Sequence, residues 1–118
     1  LEDAPSVAGV PVLTAILPGS DSDTLRQMTD RFRQYNPSGV IVLGTETNDR
    51  PLLVAAITKD LIERGLHAGE LVKVVAEPMG GSGGGRPNLA QAGGKDASKM
   101  EEALALVPGW VEGKLQPE

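Results

Sequence analysis

The residues best equipped for chemistry lie in one stretch, Met79-Gly80-Gly81-Ser82-Gly83-Gly84-Gly85-Arg86-Pro87-Asn88-Leu89-Ala90-Gln91-Ala92-Gly93-Gly94. Seven of its sixteen residues are glycine, a density that weakens any helix or strand interior. Glycine lets a backbone approach a ligand closely, and successive N–H groups of Gly83, Gly84 and Gly85 could converge as a concave anion-binding nest. Arg86 follows the run and could grip a phosphate with two parallel N–H bonds or stack on a base. Asn88 and Gln91 add carboxamide donors and acceptors, and Lys59 and Lys73 are candidates to widen the basic spot. Two plainer readings compete. The stretch could be a flexible linker, although the ordered Arg-Pro-Asn-Leu-Ala-Gln run is unlike Gly/Ser linkers. Alternatively, its glycines permit close packing on a sheet, with Arg86 tied to an acidic side chain.

Other chemistries lack their residues. The 118 residues include no cysteine and one histidine, His67, which removes disulfides, thiolate nucleophiles and cysteine-based zinc sites. His67 reads as an exposed loop residue. There is no Gly-x-x-x-x-Gly-Lys-Ser/Thr element, and a dinucleotide fingerprint traced through Gly80–Gly85 lacks the strand before it and the helix after it. The pairs Asp21/Asp23 and Glu101/Glu102 are explained by helix capping and first-turn charge. No metal site and no catalytic residue is expected.

The net charge of −5 opposes bulk attraction to nucleic acid, but its distribution is uneven. Residues 50–95 hold six basic and four acidic side chains, whereas the flanking segments are acidic. A polyanion contact is therefore local and central. No apolar run is long enough to span a membrane, and no signal-peptide pattern is seen.

The positioning elements follow from periodicity. Residues 1–9 read as a disordered lead-in, and 10–118 as a single globular domain with an aliphatic core. Val10–Leu17 is a strand. Ser20-Asp21-Ser22-Asp23 opens a helix running to about Tyr35, with Leu25, Met28, Phe32 and Tyr35 as its stripe. Arg26, Arg31 and Arg33 lie off that stripe and read as a solvated face. The apolar run Val40–Gly44 is a strand buried on both faces, followed by a polar hairpin loop at 45–51 and a second strand at 52–58. Residues 59–65 form a short helix closed by glycine. Glu70–Glu77 reads equally as strand or helix. A last helix starts near Asp96 or Ser98, with Ser98 and Glu101 as a capping box, buries Met100, Ala103, Leu104 and Val107, and breaks at Pro108-Gly109. Trp110, Val111 and Leu115 close against the body. The expected fold is α/β (α+β): a small mixed sheet of three to five strands packed with helices, with a glycine-rich loop before the last helix.

The run Gly80 to Gly94 resembles the signature of the DHH-associated domain in its alanyl-tRNA synthetase form. Ile57–Leu61, Glu70–Lys73 and the helix around Lys99–Leu106 sit where that family has similar residues, so the resemblance covers about residues 10–107. It also resolves Glu70–Glu77 as a helix. DHH phosphoesterases carry a histidine after the glycines. Here Arg86 stands there, which favours the synthetase branch. The resemblance implies a non-catalytic, cytoplasmic C-terminal domain, a piece of a larger synthetase, that binds tRNA(Ala) at its outer corner through Gly83, Gly84, Gly85, Arg86, Asn88, Gln91, Lys59 and Lys73. It would help couple aminoacylation with editing. ATP, Mg and Zn would serve other domains of the parent, which could also form a homodimer. The alternatives are the nucleic-acid-binding domain of a DHH phosphoesterase, the C-terminal domain of a free-standing alanyl-tRNA editing protein, or an oligomerisation module.

Overall fold

A computed structural model describes residues 6–7, 9–47 and 50–115. Its elements are β1 (Ser6–Val7), β2 (Val10–Ile16), α1 (Ser22–Tyr35), β3 (Val40–Thr47), β4 (Arg50–Ile57), α2 (Lys59–Glu63), α3 (Ala68–Ala76), β5 (Ser82–Gly85), β6 (Leu89–Gly93), α4 (Met100–Leu104) and α5 (Val107–Leu115). Single 3-10 turns at Glu77–Met79 and Ala97–Lys99 join α3 to β5 and β6 to α4.

The sheet is mixed, in the order β1-β2-β3-β4-β6-β5. Strand β2 runs parallel to β3, with α1 as the crossover, and every other pairing is antiparallel. Val40 to Leu43 and Leu53 to Ile57 are all buried, as strands covered on both faces require. On one face α1 sets Leu25 and Phe32 against Ile41, Leu43, Val54 and Ala56. On the other, Leu71, Val72 and Val75 of α3 and residues of α4 and α5 cover Val40, Val42, Leu53, Ala55 and Ile57.

Local chemistry sets the ends. Asp21 caps α1, its Oδ1 accepting from Thr24 N–H at 2.8 Å, and this hydrogen bond holds the Asp21 carboxyl below its ordinary range. Val72 and Val75 pack inward from a helix whose N-cap is His67, with Nδ1 accepting from Glu70 N–H at 3.3 Å. His67 is therefore a half-buried cap rather than an exposed loop residue.

Four expectations need correction. The sheet has six strands rather than three to five, because Ser6–Val7 and two segments of the glycine-rich stretch all join it. Ser6 and Val7, expected in the lead-in, pair with Pro11 and Val10; the remaining lead-in residues 1–5 and 8 lie outside the described residues. Ser98 makes no capping box: Asp96 instead caps the 3-10 turn that leads into α4, its Oδ1 accepting from Ser98 N–H at 3.0 Å and from the Ser98 hydroxyl at 2.5 Å. Pro108-Gly109 sits in the first turn of α5, where proline's missing N–H has no helical partner to lose, so it opens a helix as well as ending the previous one. Val111 and Leu115 of α5 are buried, as the closing segment requires.

Candidate nucleic-acid interface

The glycine-rich stretch is a β-hairpin, not a loop. Ser82–Gly85 pairs antiparallel with Leu89–Gly93, placing Gly83 opposite Ala92, Gly84 opposite Gln91 and Gly85 opposite Ala90. The hairpin closes so tightly that side chains are excluded at several positions. A Cβ on Gly83 would lie 2.3 Å from the Gln91 carbonyl oxygen, and one on Gly81 would lie 1.9 Å from that of Gly93. This geometry corrects the expected nest. In an extended strand successive N–H groups point to opposite sides, so those of Gly83, Gly84 and Gly85 cannot converge on one anion.

The hairpin's role is to present its turn. Arg86 N–H donates to Leu89 O at 3.0 Å and closes the turn Arg86-Pro87-Asn88. That turn is fixed to the body twice: Ala68 N–H donates to Pro87 O at 2.9 Å, and Ile57 N–H donates to Asn88 O at 3.2 Å. Arg86 and Asn88 are exposed on this anchored turn.

Beside it lies an open concavity of about 460 Å³, lined by Gly84, Gly85, Arg86, Asn88, Leu89, Ala90, Gln91 and, from helix α1, Arg26. With its amide turned to satisfy both groups, Gln91 Oε1 accepts from Arg26 Nε at 2.7 Å and from Nη2 at 2.5 Å. Among the described residues neither Arg26 nor Arg86 has a carboxylate oxygen within 4.0 Å; the ion pairs there are Arg33–Asp30 and Lys114–Glu70. The expectation that Arg86 is tied to an acidic side chain thus finds no partner among those residues.

Five of the eight expected residues therefore share one concavity: Gly84, Gly85, Arg86, Asn88 and Gln91. Gly83 is enclosed by β6 instead. Lys59 lines a neighbouring concavity of about 530 Å³ with Arg33, Pro37, Pro87 and Asn88, so Asn88 borders both. Lys73 stands on α3 beside the hairpin, its Cε 3.4 Å from where a Gly84 Cβ would be. Arg26 was the residue hidden from sequence reasoning. It lies next to Leu25 at the flank of the buried stripe, and only the placement of β6 beside β4 brings it into reach.

The comparisons with known proteins agree with this geometry. A family model described as the DHHA1 domain matches residues 9–113, and the chain belongs to that family. Within it, the chain resembles the form found in alanyl-tRNA synthetases. It is 52% identical over 115 residues to an alanine–tRNA ligase of Bacillus subtilis, which covers 98% of the chain and 13% of the relative. It is 54% identical over 110 residues to one from Pelotomaculum thermopropionicum, covering 93% of the chain and 12% of the relative. The C-Ala domain of Aquifex aeolicus alanyl-tRNA synthetase superposes with a TM-score of 0.86 at 26% identity, covering 94% of this chain and 99% of that one. The chain thus corresponds to the C-Ala domain of such enzymes, not to their catalytic part, and spans about an eighth of the ligases it matches. No helix among the described residues is long and apolar enough to cross a membrane.

Proposed function

We propose that this domain binds tRNA(Ala) for an alanyl-tRNA synthetase, contacting the outer corner of the molecule and helping aminoacylation and editing domains work on one tRNA. The parent enzyme would be a cytoplasmic alanine–tRNA ligase that uses ATP, Mg and Zn in its other domains and could assemble as a homodimer. The observation that carries the reading is a pair of arginines, Arg26 and Arg86, facing one open concavity with no carboxylate partner among the described residues of an acidic chain. A compact RNA corner is recognised through phosphates and 2′-hydroxyls, which such donors suit. Asn88 borders both concavities, so a backbone leaving the arginines passes toward Lys59.

The test is a titration of the 118-residue chain with a labelled tRNA(Ala) transcript over a salt series. Arg86→Ala is expected to weaken binding about fivefold or more and to lower the salt slope by about one, without changing the melting temperature. Equal affinities of wild type and variant at low salt would overturn the assignment of Arg86.

A further inference from the structure

We infer that Arg26, on the helix outside the glycine-rich hairpin, is the second arginine of a phosphodiester-binding pair with Arg86, and that Gln91 holds its guanidinium in position. This rests on the tRNA-binding reading above and assigns the group contacted there, a backbone phosphate.

Placement comes first. Helix α1 packs on β3 and β4, and β6 is the strand beyond β4, so Arg26 has only one strand to cross to reach Gln91. Along β6, Ala90 and Ala92 are buried against the α3 side. Gln91 alternates with them and is therefore turned toward α1.

The chemistry of the contact is selective. A guanidinium has five N–H donors. Two of them, on Nε and Nη2, are spent on the Gln91 oxygen, which leaves three for an outside acceptor. The Gln91 NH₂, the Asn88 carboxamide and the Arg86 fork add further donors around the same concavity. None of its eight lining residues carries a carboxylate. The Arg26 holder is also a neutral carboxamide, which orients the fork while leaving its positive charge whole. A glutamate there would orient it equally well and cancel the charge. On α1 the carboxylate one turn on, Asp30, is taken by Arg33 at 2.5 Å. A concavity lined by two uncompensated guanidiniums and two carboxamides fits a group with several acceptor oxygens and a full negative charge. In RNA that group is the phosphodiester. Gln91 is thus a positioning residue whose oxygen is already engaged.

The experiment is tRNA(Ala) binding by the 118-residue chain across a salt series, with each variant's melting temperature recorded. Arg26→Ala is expected to weaken binding about fivefold to tenfold and to lower the salt slope by about one. Arg26→Lys, which keeps the charge and loses the fork, should retain the slope at an intermediate affinity. Gln91→Met, of similar volume, should bind less tightly than wild type, and should have no further effect in the Arg26→Ala background. Gln91→Glu should be weaker than Gln91→Met, since it neutralises the guanidinium it holds. Wild-type affinity in Arg26→Ala alongside a loss in Arg86→Ala would overturn this inference alone. Absence of tRNA binding by the wild-type chain would remove the tRNA reading and this inference with it.

Discussion

Gly83 and Ala92 face one another across the hairpin so closely that a Cβ built on the glycine would stand 2.5 Å from the Ala92 Cβ and 2.4 Å from its Cα. One residue further on, a Cβ on Gly84 meets nothing nearer than Lys73 Cε at 3.4 Å, the flexible end of an exposed side chain. The two glycines therefore do different work. Gly83 is needed for backbone approach; Gly84 leaves space beside the concavity.

Gly83→Ala should consequently destabilise the domain by about 1–3 kcal/mol, since the methyl must displace backbone. Gly84→Ala should be neutral or stabilise by about 0.4–1 kcal/mol, because alanine restricts the unfolded chain. Urea unfolding midpoints of the two variants measure this. Equal behaviour of the pair would show that the hairpin does not close as described.

Much of this architecture was legible because side chains announce it. The 3-4-3 spacing of Leu25, Met28, Phe32 and Tyr35 marks α1, although Tyr35 itself proves exposed, and the aliphatic runs mark β3 and β4. Glycine announces nothing. Ser82-Gly83-Gly84-Gly85 has no side-chain alternation to reveal a strand, so the stretch reads as a loop until its partner, with Ala90 and Ala92 buried, is seen. The role of Arg26 was illegible for another reason. It depends on β6 inserting between β4 and β5, an order set by the whole fold and not by any local spacing. His67 is hard to recognise as a cap from sequence because histidine caps less often than Asp or Ser, yet its ring nitrogen supplies the same acceptor.

A second prediction concerns the junction of β4 and α2, where Thr58 Oγ1 accepts from Gly39 N–H at 3.0 Å and donates to Asp60 Oδ1 at 2.6 Å. The Ser38 hydroxyl donates to the other carboxylate oxygen, so Asp60 joins this junction to the loop before β3. These hydroxyls, Ser38 foremost and then Thr58, hold the Asp60 carboxyl below its ordinary value of 3.8. A folded pKa below the unfolded one means that the unfolded chain takes up the proton first as pH falls. The contribution is then complete above the unfolded value and is lost as pH drops through the folded one. Asp60→Asn should therefore melt below wild type near neutral pH, and the gap should close as pH falls below the ordinary carboxylate value and on through the lowered folded one. Asp21 and Asp96 are also held low and add to the acid sensitivity of both proteins, so the difference between the two curves isolates Asp60. A gap independent of pH would contradict the carboxylate's role.

The last prediction tests packing where the β3 strand meets α4. Gly44, paired with Ile16 on one side and Leu53 on the other, leaves no room for a methyl: its Cβ would lie 2.6 Å from Met100 Sδ and 3.2 Å from Leu53 Cδ2. Met100 is 3% exposed and fills the space that the glycine vacates. Because an unbranched thioether side chain can bend aside, Gly44→Ala should cost only about 1–2 kcal/mol. Met100→Ala alone removes buried volume from the core and should cost about 2–4 kcal/mol. Together the two changes relieve each other, since the new methyl enters the space left by the methionine. The double variant should therefore be more stable than the sum of the single effects by about 1 kcal/mol, beyond the roughly 0.5 kcal/mol scatter of independent sites. Denaturant unfolding of the four proteins in the cycle gives the coupling directly. Additive effects would mean that Met100 does not occupy the space above Gly44.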